Sequence, residues 1–251
     1  MKALVTGASS GIGRDMAEYL SNQGYELILT ARRQDRLEEV QQKLKTNSRI
    51  ICTDLSDPQA CIDLYEQVKD EKIDVLINNA GFGLFGAFDT TDLQDELRMM
   101  DTNIKAVHIL TKLFLKDMKA RDCGYILNVA SSAAFQPGPL LSSYYASKAY
   151  VLRLTQAIYE ELRRAGSHVS VSALCPGPVR TEFDSVAGVR FSLNGLESRD
   201  VAAYALKKMF ARKLVIVPGI VMKLLHFSIR FAPDKLILRT AYHFQKKKES
   251  K

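Results

Sequence analysis

The chain has 251 residues, 47% of them hydrophobic and 25% charged, with a formal net charge of +7. That balance excludes a disordered, collagen-like or disulfide-scaffold protein, and no apolar run reaches the roughly 18 residues of a membrane span. The start, MKALVTGASS, turns from one lysine straight into a strand and a glycine loop, without the regions of a signal peptide. Cys52, Cys61, Cys123 and Cys175 show no CxxC spacing, so a cytoplasmic chain with buried free thiols is expected.

In chain order, short apolar runs alternate with amphipathic stretches. Residues 3–5, 27–29, 49–52, 75–77, 125–129, 169–174 and 214–217 are rich in Val, Ile and Leu and bounded by Gly, Pro or Asn, and read as buried strands. Helical patterns fall at 11–23, 34–46, 57–70, 92–118, 142–165 and 198–211. Asp57-Pro58 has the form of an N-cap followed by proline in the first turn. Strand and helix alternating through short links imply parallel pairing and right-handed crossovers. The expected product is an α/β, doubly wound Rossmann-type sheet of about seven parallel strands with helices on both faces. No linker or repeat divides it, so residues 1–251 read as a single domain, with 182–197 a loop and 218–251 a basic extension.

The first strand runs into Thr6-Gly7-Ala8-Ser9-Ser10-Gly11-Ile12-Gly13, and a helix follows. Gly7 permits a tight turn, Gly11 lets backbone N–H groups approach a pyrophosphate, and Gly13 allows helix to pack closely on strand. The helix N-terminus adds partial positive charge. A glycine trio alone is a weak signal, but here the strand-to-helix context is present. The second strand ends in Leu29-Thr30-Ala31-Arg32-Arg33, with no acid placed to accept a ribose 2′-hydroxyl. Two guanidiniums suit a 2′-phosphate, which points to NADP(H). Asp35 is the acid nearest to this position and is better placed to cap the next helix.

Tyr144 and Lys148 lie four apart early in the fifth helix and so share one face. An ammonium near a phenol favours the phenolate and lowers the tyrosine pKa, so that the group can exchange a proton with a carbonyl or alcohol oxygen. Asn128-Val129-Ala130-Ser131 closes the fifth strand, on the rim where open α/β sheets bind ligands. Ser131 could donate to the same oxygen, with Ser132 its local rival. Asn78-Asn79-Ala80-Gly81 closes the fourth strand on that rim and is positioned for the ribose side of the cofactor. Asn103 is a polar residue in mid-helix, which could reach an ordered water and link it to Lys148; read alone it is an ordinary exposed asparagine.

As a set, the Thr6–Gly13 loop, Asn78–Gly81, Asn103, Ser131, Tyr144-xxx-Lys148 and Pro176-Gly-Pro-Val-Arg-Thr181 resemble the short-chain dehydrogenase/reductase family over roughly residues 1–217. The spacing of thirteen between serine and tyrosine matches the family and selects Ser131 over Ser132 and Tyr144 over Tyr145. The resemblance implies an Asn103–Ser131–Tyr144–Lys148 tetrad, with Lys148 also bonded to the nicotinamide ribose. It implies Asp54 and Leu55 beside the adenine, Asn79, Ala80 and Gly81 along the ribose side, and Pro176, Gly177, Val179 and Thr181 around the nicotinamide, with Val179 and Thr181 on the carboxamide. Arg32 and Arg33 place it on the NADP-preferring branch. It further implies a homodimer or homotetramer through the long fourth and fifth helices, whose apolar faces carry Ile104, Val107, Leu110, Leu113 and Phe114, and Val151, Leu152, Leu154, Ile158 and Leu162.

The expected function is NADP(H)-linked interconversion of a small carbonyl compound and its alcohol, with Tyr144 as general acid/base. Two narrower or different readings stand beside it: reduction of a 3-oxoacyl thioester on an acidic carrier, and a non-catalytic NADPH-binding regulator, which an intact tetrad argues against. Residues 207–251 hold twelve Lys/Arg and two acids, net +10, while residues 1–206 sum to −3. Residues 220–231 are apolar nearly all round with basic interruptions. This tail is expected to cover a lipophilic substrate cleft or a partner subunit, with peripheral contact to an anionic membrane as an alternative. Nucleic acid is not expected as a partner, because no zinc pattern or nucleic-acid motif accompanies the charge. His226 and His243 have no metal-ligand company.

Overall fold

The computed structural model describes residues 1–183, 195–229 and 231–246. The first half alternates strictly: β1 Lys2–Thr6, α1 Gly11–Asn22, β2 Glu26–Ala31, α2 Gln34–Gln41, β3 Ser48–Cys52, α3 Pro58–Glu66 and β4 Val75–Asn78. Then come α4 Leu93–Met100, a π-helical segment Asp101–Ala106, α5 Val107–Ala120, β5 Tyr125–Val129, a 3-10 turn Ser132–Phe135, α6 Ser142–Arg164 and β6 Ser170–Leu174. The chain continues with β7 Val179–Arg180, β8 Leu196–Glu197, α7 Ser198–Phe210, β9 Val215–Ile216, α8 Ile220–Ile229 and α9 Asp234–Lys246.

Seven strands form one parallel sheet, as the alternation leads one to expect, in the order β3-β2-β1-β4-β5-β6-β9. The order reverses between β1 and β4, and at such a switch point two strand ends diverge and leave a crevice. Each strand feeds both faces. Ala3 and Val5 of β1 pack with Met16 and Leu20 of α1, Leu37 of α2 and Leu206 and Met209 of α7. Leu4 packs on the opposite side with Leu64 of α3, Phe114 of α5 and Leu162 of α6. A sheet covered on both faces needs apolar residues at every position, which is why its strands show runs rather than alternation.

Several expected boundaries shift. The helix expected over 92–118 is interrupted: six residues widen into a π turn between α4 and α5. Helix α2 stops at Gln41, and its N-cap position is Arg33, with Asp35 in the first turn rather than capping. There the carboxylate still favours the positive end of the helix dipole. Asp57 caps α3 as expected, its side chain accepting from the Gln59 N–H ahead of Pro58. The expected loop 182–197 closes on β8, which pairs in parallel with β7; residues 184–194 of it lie outside the described residues. The cysteines are all free, but Cys52 and Cys123 are exposed and only Cys61 and Cys175 buried. Of the helix faces offered for a partner, Val107, Leu110, Phe114, Val151, Leu152 and Leu162 are buried in the chain's own core.

Candidate active site

The crevice at the switch point is a cleft of about 840 Å³, running from Arg32 and Arg33 past the glycine loop to Ser131, Tyr144 and Lys148 and on to α8 and α9. A hydroxyl and an amide build its floor. Thr6 Oγ1, at the end of β1, accepts from the Asn79 N–H (2.9 Å) and the Ala80 N–H (3.0 Å) beyond β4. Asn79 Nδ2 returns two bonds, to the carbonyls of Thr6 (3.0 Å) and Gly7 (3.2 Å). The phosphate loop is thereby fastened to the neighbouring strand end. There is no room for a side chain: a Cβ at Gly13 would lie 2.4 Å from Asn79 Nδ2 and from the Gly7 carbonyl oxygen. Gly7 and Gly11 sit at φ of +64° and +53°, where L side chains are strained. Ser9, Ser10, Gly11 and Ile12 line the cleft above this cradle. Thr6 and Gly13, read from sequence as cofactor contacts, stand behind its wall and shape it.

Beneath the β4 and β5 rim lies a buried polar chain. Asn78 Nδ2 donates to Thr111 Oγ1 (3.0 Å) and Asn128 Oδ1 (2.8 Å), and Asn128 Nδ2 donates to Thr155 Oγ1 (3.0 Å). These bonds tie the two strands to α5 and α6, so the asparagines that close both strands serve packing, and the residues just after them face the cleft.

Ser131 follows β5 and caps the 3-10 turn, accepting from the Ala133 N–H at 3.1 Å. Its side chain also favours ionisation of the Tyr144 phenol. Tyr144 is buried, its ring 5.4 Å from that of Phe183 and 6.1 Å from that of Tyr145. Lys148 is buried one turn further on, its Nζ donating to the Val129 carbonyl at 2.9 Å and lying 5.9 Å from the Tyr144 ring centre. Burial penalises both charged forms. It pushes the Tyr144 phenol up to about 12, against the opposing influence of Ser131, and the Lys148 ammonium down to about 8. The expected depression of the phenol is therefore not what this geometry gives: at neutral pH Tyr144 holds its proton and is poised as a donor.

Asn103, which read alone is an exposed mid-helix asparagine and which the family resemblance places in the tetrad, is fully buried in the π segment. Its carboxamide accepts from the Phe82 N–H (3.1 Å) and donates to the Phe82 carbonyl (2.9 Å) and Ser147 Oγ (3.1 Å). A Cβ on Gly81 would meet Asn103 Oδ1 at 2.7 Å and Lys148 Nζ at 3.2 Å, so Gly81 lets these two side chains converge. Asn103 itself is behind the cleft wall, and Ala80 and Gly81 line it.

At the far end both arginines face acids. Arg33 Nη2 bonds Glu182 Oε2 at 2.7 Å and reaches Ser9 Oγ at 3.4 Å, while Arg32 Nη1 lies 3.9 Å from Asp54 Oδ2. Asp54 and Leu55 line the same end, and Pro176, Gly177, Val179 and Thr181 the opposite wall. Sequence reasoning missed Thr53, Phe82, Tyr145, Glu182 and Phe183, and it left the tail without assigned contacts. Met222, Leu225 and Ile229 of α8 and Ile237, Ala241 and Gln245 of α9 wall the cleft beyond Tyr145. Gln245 Nε2 donates to the Tyr145 hydroxyl at 2.6 Å.

The family model described as short chain dehydrogenase matches residues 1–188. An oxidoreductase of Staphylococcus saprophyticus, itself described as uncharacterized, is 35% identical over 214 residues, which is 82% of this chain and 91% of that one. A probable NADP-dependent dehydrogenase of Haemophilus influenzae is 37% identical, covering 73% of this chain and 74% of its own. The human very-long-chain 3-oxoacyl-CoA reductase is 33% identical over 73% of this chain and 61% of that one. Among solved structures, a short-chain dehydrogenase from Sphingobium yanoikuyae in complex with NADPH is 29% identical, with a TM-score of 0.83 and 94% of each chain covered. A short-chain dehydrogenase/reductase from Burkholderia phymatum in complex with NAD is 26% identical, with a TM-score of 0.82 over 92% of this chain and 94% of that one.

Proposed function

Since the chain belongs to the short-chain dehydrogenase family, we propose that this oxidoreductase uses NADP(H) to interconvert a lipophilic carbonyl compound and its alcohol, with Tyr144 as general acid/base. One observation carries the reading: a buried phenol that shares with Ser131 and Lys148 the wall of a cleft that a glycine cradle opens.

The residues present fit a phosphorylated dinucleotide. The loop's three glycines have no space for side chains, and the loop lines the cleft with backbone and with Ser9, Ser10 and Ile12. Backbone N–H groups at a helix start suit a pyrophosphate, and Arg32 and Arg33 would hold a 2′-phosphate in place of Asp54 and Glu182. Asp54 and Leu55 would flank the adenine, Asn79, Ala80 and Gly81 the ribose side, Lys148 the second ribose, and Pro176, Gly177, Val179 and Thr181 the carboxamide end. When bound, the dinucleotide supplies the hydride.

The protein's own groups handle charge and proton. Ser131 and Tyr144 direct donors at the carbonyl oxygen, where negative charge develops as the bond order falls. Tyr144 gives up its proton to that oxygen, and the phenolate left behind is stabilised by the Ser131 hydroxyl and the Lys148 ammonium. Asn103 positions Phe82 and the turn beside Lys148, and with Lys148 opens a path for a replacement proton. The family is commonly oligomeric; Ile104, Leu113, Leu154 and Ile158, which are half-buried, are what these helices leave for a partner in a homodimer or homotetramer.

A panel of ketones, aldehydes and alcohols followed by NADPH absorbance, with NADH alongside, tests the reading. Turnover with NADPH well above NADH is expected; wild-type turnover in Tyr144→Phe would overturn the assignment. The likeness to a 3-oxoacyl-CoA reductase, together with the long apolar extension of the cleft, favours one narrower reading, a 3-oxoacyl thioester. That substrate on an acidic carrier should show a salt-sensitive KM where a small ketone does not.

A further inference from the structure

Helix α8 is apolar on two faces. Met222, Leu225 and Ile229 line the cleft. On another side, Ile220, Leu224 and Phe227 follow helical spacing in one stripe, with Val221 beside it and Phe231 just beyond, and all five are between 61% and 75% exposed. A surface helix ordinarily has one apolar stripe and turns it to the core; a second, uncovered stripe of large residues marks a contact surface. Helix α9 is built differently. Ile237, Ala241 and Gln245 turn to the cleft, while Lys235, Arg239 and Lys246 share an exposed opposite stripe. These bases belong to the segment 207–251, which carries +10 while the remainder of the chain sums to −3.

We infer that α8 and α9 dock this protein on an anionic lipid surface, with the α8 stripe entering the headgroup–acyl boundary and the α9 bases meeting the headgroups. A lipid surface satisfies both features at once, because it offers apolar depth beneath a negatively charged plane. A second copy satisfies only the first: a two-fold contact through this patch would bring the same basic stripe from both partners into one interface. The contact is peripheral in kind, and among the described residues no helix is long and apolar enough to cross a membrane. Resting on the proposed lipophilic substrate, the arrangement also gives the cleft a source, since the helices that would touch the bilayer are the ones that wall it.

The test is co-sedimentation of the full chain with phosphatidylcholine vesicles, with and without phosphatidylglycerol, at low and high salt, and with no cofactor or substrate present. Vesicle binding then stands or falls apart from turnover. Binding to the anionic vesicles and its loss at high salt are expected. Lys235→Glu/Arg239→Glu should weaken it about tenfold or more, and Leu224→Asp/Phe227→Asp should weaken it on both vesicle types, each variant keeping wild-type turnover of a water-soluble ketone in vesicle-free buffer. The inference is overturned if the wild-type chain stays in the supernatant, if it binds neutral and anionic vesicles alike, or if both variants bind as the wild type does. It is equally overturned if Leu224→Asp/Phe227→Asp turns a dimer into a monomer by sedimentation velocity while vesicle binding is unchanged, which would make the stripe an interface between copies.

Discussion

The rim of the sheet and the two C-terminal helices wall the same cleft and are held by very different means. On the rim nearly every side chain is fixed more than once: Thr6 by two bonds, Asn79 by two, Asn103 by three, and Lys148 by a carbonyl in a fully packed setting. Helix α8 buries none of its residues, and α9 buries only Ala241 and Gln245. Among their anchors are the bond from Gln245 to Tyr145, the His226 ring stacked on Phe135 at 3.7 Å, the Lys223 ammonium 5.5 Å from the Tyr204 ring centre, and Met222 beside Gly177. The contrast separates two tasks. Proton and hydride chemistry rewards groups held in one geometry, whereas a wall that admits bulky apolar molecules gains from contacts that can shift.

The contrast can be broken most directly at its rigid end. Tyr144→Phe should lower kcat for ketone reduction by about 10²–10⁴-fold, the usual range for a positioned acid, while NADPH binding measured by fluorescence quenching stays near wild type. Next, Arg33→Ala should cost about 10–100-fold in kcat/KM with NADPH and little with NADH, the range for a charge-assisted bond. A comparable loss with both coenzymes would mean that Arg33 only braces the loop.

A pH profile sharpens the comparison further. Lys148, lowered to about 8, is charged below that pH and neutral above it, while Tyr144 at about 12 keeps its proton throughout. Reduction leaves a phenolate that the ammonium stabilises, so kcat should hold level below pH 8 and fall by up to about tenfold for each unit above it. A rate that rises through this window would contradict the role of Lys148.

At the adaptable end effects should be small. Gln245→Leu removes the bond to Tyr145 together with Gln245 Oε1, a buried atom with no partner among the described residues. Stability measured by thermal melting should therefore change by less than ~1 kcal/mol, while KM for bulky ketones rises a few-fold and KM for acetone-sized ones does not. A collapse of kcat for every substrate would show that the tail takes part in the chemistry after all.

What was legible in the sequence was local. Gly7, Gly11 and Gly13 lie within one loop, Tyr144 and Lys148 within one helical turn, and the parallel pairing follows from alternation and handed crossovers. What was not legible depends on distance along the chain. Asn79 clamps a loop 73 residues earlier, Arg33 meets Glu182 from 149 residues away, and Gln245 finds Tyr145 across 100. No period or spacing encodes such pairs. The setting of Asn103 was hidden for a related reason: its pattern is helical, and only the packing of Phe82 and Ser147 against it reveals a widened turn and full burial. The cysteines show the same limit, since Cys52 sits at a strand end where exposure is decided by what passes over it.

The widened turn at Asp101–Ala106 has a further meaning for how this helix could change. A π turn holds one more residue than the regular spiral needs. Deleting a single amino acid there would let α4 and α5 fuse into an unbroken rod. It would also swing one flank about 100° relative to the other, carrying the Asn103 carboxamide away from the Phe82 backbone. That extra residue thus sets the aim of both flanks, and a shortened variant, with Val107, Leu110 and Phe114 turned from the core, would melt earlier and work worse.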